Sequence, residues 1–442
     1  MELKDLFLTP IFLIIIYAIA YGLRSKFTNK QTRKYFIPAL TLKIIGALSL
    51  GLIYQFYYGG GDTFNYYNSS KIVTQAFYDN PSIGIKILLS NGEYDPETIQ
   101  YTSKIYWYQS PTEFIIIKIG ALFGIIGLNT YSVIAIFFAT SSFAGIWALY
   151  TTFLKIYPAL YKQLAIPCFF LPSVFFWGSG FMKDSVTIGA LGLLFYGFYM
   201  SFIEKKKLFS SITLTILATY LLLSVKVYIL LSFLPPALFW IFLENNNRIK
   251  NKLIRTIAKP VFIVFGLLVA YIGATTLTAG DERYDIEKIG ERTKINSEYL
   301  SEYVSSGSAY NIGTFDGSIG SMITVAPQAI IVALYRPFLW EVRNPIMLLS
   351  ALEASMFIFL TLRIIFRTGF WKTVQLISSK PILTFCIIFS LVFAFGVGTN
   401  SGNFGTLVRY KIPLMPFYLA ALYMMQAHLK RPRKLRRLAV TA

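Results

Sequence analysis

Apolar runs of about 18 to 20 residues recur along this chain from end to end, separated by short, mostly basic segments. Wound as a helix rising about 1.5 Å per residue, such a run crosses a hydrocarbon layer about 30 Å thick. Inside that layer no water is available to backbone N–H and C=O groups, so only elements that bond internally can span it. The expected fold class is therefore all-α, a polytopic transmembrane helical bundle of about 11–13 helices with one broken or re-entrant element and short outer amphipathic helices. Composition agrees: of 442 residues 55% are hydrophobic and 14% charged, too few charges to cover a soluble domain. We read residues 1–442 as a single integral membrane domain.

The net charge of +20 would point to nucleic acid in a soluble protein. Here Lys and Arg cluster between apolar runs, the pattern of cytoplasmic anchors facing anionic membrane lipid, and no nucleic-acid partner is expected. Cys168 and Cys386 each sit within an apolar run, and His428 is the only histidine. A disulfide framework, a His-ligated zinc site and His-dependent catalysis are thus not expected. No metal or other cofactor is assigned, and a divalent cation stays open. The run Leu6 to Leu23 follows MELKD and ends in a basic loop, so it is expected to remain as the first transmembrane helix.

Loop charges set an orientation. The segment RSKFTNKQTRK carries Arg24, Lys26, Lys30, Arg33 and Lys34 without an acid and belongs on the cytoplasmic side, as do EKKK at 204–207, 244–259, RTGFWK at 367–372 and HLKRPRKLRR at 428–437. This places the amino terminus and the segments 59–110, 280–345 and 399–411 outside. Helices are predicted near 36–57, 112–128, 131–154, 164–180, 184–203, 209–224, 228–243, 260–279, 346–366, 381–398 and 412–427. Counting crossings puts Glu204–Lys207 on the wrong side unless LAIPCFFLPSVFFWGSGFMKDS is broken or re-entrant, which Pro167, Pro172, Gly178 and Gly180 favour. A further crossing between 83 and 110 is the alternative. Apolar positions Ile286, Ile289, Tyr299 and Tyr303 predict a short amphipathic helix in the larger outer segment.

Several charged groups do not serve topology. Asp62, in YYGGGDTFNYYNSS, is a carboxylate at a helix mouth where three glycines let the backbone turn, suited to general-base catalysis or cation binding or simply to a solvated loop. Lys183 and Asp184 lie at an apolar helix end, where charge is costly unless paired, wetted or bound. Lys226 is a lone cation in LLLSVKVYILL, at the predicted turn of a helical hairpin. LYRPFLWEVRNP holds Arg336, Glu341 and Arg343, whose guanidinium forks suit phosphate. Arg409, Tyr410 and Lys411 crowd the entrance to the last helix. Lys183, Lys226, Arg336, Arg343, Arg409 and Lys411 all fall on the side opposite the basic anchors, which points to an anionic ligand such as a lipid-linked phosphate. The aromatics of 64–67 and 106–108 suit sugar rings, as they suit an interfacial belt.

GGGDTFNYY and the closing RYKIPLMPFYLAALY resemble the multi-spanning membrane glycosyltransferases of the GT-C class, with an acid in the first outer loop and an Arg-Tyr-x-x-Pro-x-x-Pro-like final helix. SPTEFIIIKIGALFGIIG and LPSVFFWGSGFMKDSVTIGALGLL are also similar to the helix pairs of that class and of bacterial polysaccharide polymerases. The resemblance implies transfer of a sugar or oligosaccharide from a polyprenyl-phosphate-type carrier to a glycan or glycolipid acceptor at the outer face of the cell inner membrane. It makes Asp62 the loop acid, and Arg409 with Tyr410 the terminal motif. The first outer loop lacks the second, adjacent acid of many such enzymes. A flippase or transporter of lipid or glycolipid, using the same cations without chemistry, is the rival class.

Overall fold

The computed structural model describes residues 2–246, 289–302, 308–313, 316 and 318–430. The predicted helix at 260–279, most of the basic segment 244–259, Ile286, Tyr303 and the basic tail from Arg431 lie outside the described residues. The described chain is helical throughout, with no strand among the described residues and a single isolated bridge, Ala309 to Asn403. Seven of its helices are long and apolar enough to cross a membrane.

Contacts group the residues into two compact units. The first comprises 1–155, 168–201 and 205–227; the second comprises 156–167, 202–204 and 228–442.

In the first unit α1 (Leu3–Phe27) and α2 (Arg33–Phe56) match the first two predicted spans. The segment 59–110 then folds as α3 (Asp62–Asp79), α4 (Pro81–Leu89) and α5 (Ile99–Thr102). At 9 and 4 residues, α4 and α5 are too short to cross a bilayer of about 30 Å, and they are the only helices between 83 and 110. The polar helix α3 is held by α6 (Pro111–Ile126): Ser70 donates to the Ile117 carbonyl at 2.9 Å and Thr74 to the Ala121 carbonyl at 3.3 Å. Such hydroxyl-to-backbone bonds let a helix with few apolar residues pack inside a bundle. Asp5 accepts from the Ser132 N–H at 2.8 Å and so pins α1 to the first turn of α7 (Tyr131–Ile156).

The broken element falls where its prolines and glycines place it. A short helix α8 (Tyr161–Ala165) runs into a π-helical turn across Pro167, α9 (Pro172–Trp177) restarts at Pro172, and residues 178–182 are non-helical before α10 (Lys183–Phe198). Helices α7 and α10 meet backbone to backbone. A Cβ at Gly145 would stand 2.0 Å from the Gly189 carbonyl oxygen, and one at Gly192 would stand 2.1 Å from the Gly145 oxygen. The run α11 (Leu208–Asn246) leaves helical geometry at Lys226, with φ −147° and ψ 79°. The boundary expected between helices 209–224 and 228–243 is thus seen as a kink at that residue.

In the second unit the described helices after α11 are α12 (Ile289–Glu302), α13 (Ile319–Thr324), α14 (Ala326–Tyr335), α15 (Pro345–Thr368), α16 (Phe370–Ser379), α17 (Pro381–Asn400), α18 (Phe404–Tyr410) and α19 (Met415–Lys430). Part of the predicted amphipathic helix is seen in α12, with Ile295 and Tyr299 exposed. The core is a ladder of rings, Phe385, Phe389 and Phe417, with Phe233 against the first two.

The α7–α10 contact yields a prediction. Gly145→Val or Gly192→Val should cost at least about 1–3 kcal/mol, because the obstructing atoms are backbone and cannot swing away. Gly22→Val on α1, where nothing lies within 4 Å, should leave thermal unfolding in detergent unchanged. Equal melting temperatures for all three variants would contradict the contact.

Candidate functional site

Each unit holds a group of charges that the sequence analysis singled out. In the first, the chain leaves α2 through Gly59, Gly60 and Gly61, all at positive φ (70°, 140° and 124°). Three left-handed residues in a row are accessible to glycine at little cost, and a side chain at each would add about 1 kcal/mol or more. The turn closes with the Gly60 N–H on the Tyr54 carbonyl at 2.8 Å. It delivers Asp62 as the first residue of α3, half-buried, where the unpaired N–H groups of a helix start favour a carboxylate.

The aromatics that follow Asp62 turn inward. Tyr66 and Tyr67 are each 4% exposed; Phe64 stacks on Tyr131 with ring centres 4.7 Å apart, and Tyr66 lies against Trp107 at 4.8 Å. Thr63 and the Tyr131 hydroxyl are 2.7 Å apart. These rings pack against one another inside the first unit, and Tyr66 and Tyr67 are too buried to stack on a sugar. Tyr57 and Tyr58, just before the turn, and Tyr106 remain exposed.

Lys183 and Asp184, in the first turn of α10, each have a partner of their own. Lys183 is ion-paired with Glu113, which also accepts from Ser110 and, at 2.7 Å, from Thr112. Asp184 accepts from Lys226 at 2.6 Å, and both are buried. Lys226, lone in its own stretch of sequence, therefore meets a carboxylate 42 residues away. The break in α11 at Lys226 stands at this buried pair.

One further cation in this unit escaped the sequence analysis. Lys43, in the middle of α2 and 3% exposed, donates to Ser142 at 3.0 Å and to the Gly178 carbonyl, where α9 ends; Ser142 donates to the same carbonyl at 2.7 Å. The signal was present, a single ionisable residue inside an apolar run, which in a membrane helix is by default a functional candidate. Glu353, 5% exposed within α15 of the second unit, was passed over in the same way.

In the second unit Arg336 follows the last turn of α14. Its guanidinium forks onto Glu341, with Nε at 3.2 and 3.1 Å from the two carboxylate oxygens and Nη2 closer still. It also lies over the rings of Phe404 (5.2 Å), Tyr310 and Phe338 (both 5.8 Å). Burial pushes the Glu341 carboxyl up, but hydrogen bonds from Arg336 and from the Phe338 N–H outweigh it and hold the group below its usual value. Lys411, 2% exposed, donates to the Arg336 carbonyl at 3.0 Å. The extended piece 308–310 is clipped to the α17–α18 connection by Tyr310 N–H to Gly402 and Phe404 N–H to Ser308. Arg409 and Tyr410 are half-buried in the last turn of α18, immediately before Lys411. Arg343 is exposed and has no carboxylate partner among the described residues.

The structure thus brings together Lys183, Asp184, Lys226 and Glu113 in one unit, and Arg336, Glu341 and Lys411 in the other. Of the cations read as answering an anionic ligand, Lys183, Lys226 and Arg336 are in salt bridges with carboxylates. Among the described residues no group of three or more His, Cys, Asp or Glu side chains is placed to hold a metal ion.

The buried pair makes a direct test. Asp184→Asn or Lys226→Met alone should destabilise the protein by about 3–5 kcal/mol, because each leaves an uncompensated buried charge. Asp184→Leu combined with Lys226→Met should recover most of that loss in thermal unfolding. Additive losses in the double variant would show that the two groups do not act as a pair.

The chain matches no protein-family model, no curated protein and no solved structure, so its function is read from its own residues.

Proposed function

We propose that the protein is a membrane glycosyltransferase or polysaccharide polymerase that moves a sugar or oligosaccharide from a polyprenyl-phosphate-type carrier to a glycan or glycolipid acceptor. The observation that carries this reading is Asp62: a half-buried carboxylate opening α3, held at the end of a turn that requires glycine. A carboxylate so fixed suits the removal of a proton from an acceptor hydroxyl as that oxygen displaces the carrier phosphate at the anomeric carbon. The phosphate leaves with its added negative charge, which a cationic side chain at the reacting end of the carrier is suited to stabilise. Lys183, Lys226 and Arg336 would bind that phosphate by sharing or exchanging a carboxylate partner. Loop charges support a site on the face opposite the basic segments, the outer face of a cell inner membrane.

A second reading, translocation of a lipid-linked glycan without chemistry, is favoured by one observation. The buried cation Lys43 sits at an interrupted helix, and discontinuous helices near charged groups are a transporter trait.

Both readings meet one experiment, the purified protein in vesicles containing polyprenyl-phosphate carrying a radiolabelled sugar. Transfer of label to an acceptor, abolished by Asp62→Asn in a variant that inserts and melts like the parent, is the expected result. Passage of intact labelled lipid across the bilayer without loss of label supports translocation. Undiminished transfer by Asp62→Asn would remove Asp62 as the base.

A further inference from the structure

Helix α16 occupies an unusual position. Helix α15 ends at Thr368 and α17 begins at Pro381, and both are long and apolar enough to span a bilayer. With 10 residues α16 is about 15 Å long, half the hydrocarbon thickness of about 30 Å, so the chain leaves the membrane after α15 and re-enters it at α17 on the same side. Gly369, at φ 82°, turns the backbone out of α15, and Pro381 opens α17. Between these fixed ends α16 is confined to the boundary between lipid and water.

Its faces sort accordingly. At 100° per residue, Thr373, Leu376 and Ile377 share one side, and Thr373 is buried against the rest of the unit. Phe370, Val374 and Trp371 fall on the next arc together with the exposed Ser378, and the three apolar side chains are 56%, 42% and 80% exposed. Gln375, Ser379 and Lys372 complete the circle and are exposed. A helix with one flank on protein, one bare aromatic flank and one polar flank has the pattern of a segment lying in an interface, its rings at headgroup depth.

The charge around it is of one sign. Arg367, Lys372 and Lys380 are all exposed, and from Ala354 to the carboxyl terminus the sequence contains no Asp or Glu. A protein partner binding this face would have to supply all of the opposite charge; an anionic leaflet supplies it as a continuous surface.

We propose that α16 is an interfacial helix that binds anionic phospholipid, with Phe370, Trp371 and Val374 inserted at the level where acyl chains meet headgroups and Arg367, Lys372 and Lys380 contacting lipid phosphates. This does not depend on the enzymatic reading.

The test uses the full-length protein in nanodiscs of phosphatidylcholine alone or mixed with phosphatidylglycerol, with nitroxide labels on Trp371→Cys, Val374→Cys, Gln375→Cys and Ser379→Cys. The native Cys168 and Cys386 are fully buried and stay unlabelled. Labels at 371 and 374 should be reached by oxygen and shielded from an aqueous nickel chelate, and labels at 375 and 379 should show the reverse. Replacing Arg367, Lys372 and Lys380 by Gln should lower phosphatidylglycerol enrichment around the protein. Nickel access at all four positions would overturn the proposal. So would exclusion of both reagents from 371 and 374, which would mean that protein, such as a second copy, covers the face. Unchanged enrichment in the triple variant would overturn the claim of anionic-lipid binding.

Discussion

A helix that stops inside an apolar layer leaves carbonyl groups that no water can satisfy, and this protein stops helices there. The consequence is clearest at the Gly178 oxygen, which receives the Lys43 amine and the Ser142 hydroxyl and so ties α2 and α7 to the end of α9 at a single atom. Gly46, one turn beyond Lys43, keeps α2 close: a Cβ there would meet the Phe175 carbonyl oxygen at 2.2 Å. Once α9 is fixed, α10 can start afresh with two charges in its first turn, each answered by a residue from another element. The second unit repeats the solution, with Lys411 closing the Arg336 carbonyl after α14. Buried amines here serve backbone before they serve any ligand.

That order of service refines the electrostatic argument. Cations on a side where topology does not require them suggest an anion. In this protein part of that anion is internal, in Glu113, Asp184 and Glu341. Charge left for an external phosphate is correspondingly smaller, which is why the functional reading leans on Asp62.

Much of the fold was legible because the signals were local. Apolar length set the predicted helices at 36–57, 131–154 and 381–398, found at Arg33–Phe56, Tyr131–Ile156 and Pro381–Asn400, and the prolines and glycines of 167–180 marked the broken element. What was not legible depended on distance in sequence. Nothing local to Lys226 announces Asp184, and nothing in the polar stretch from Asp62 to Asp79 announces an 18-residue helix, since α3 owes its place to hydroxyl bonds and ring contacts with α6 and α7. Lys43 and Glu353 are a different case, because each was visible as an isolated charge in an apolar run. They lacked only the neighbouring glycine or arginine motifs that drew attention elsewhere.

The turn before Asp62 separates two kinds of constraint that usually coincide. Around Gly59 and Gly60 nothing lies within 4 Å of where a Cβ would be, so the space is open and only the backbone dihedral forbids a side chain. A packed position tolerates change by repacking; a dihedral position does not, however much room surrounds it. Change at this corner is therefore channelled into loop length or, at Gly59 alone, into asparagine or aspartate, the side chains most at ease near φ 60°, while the buried rings of α3 and α7 vary by exchanging volume. Asp62 sits where these two modes of variation meet.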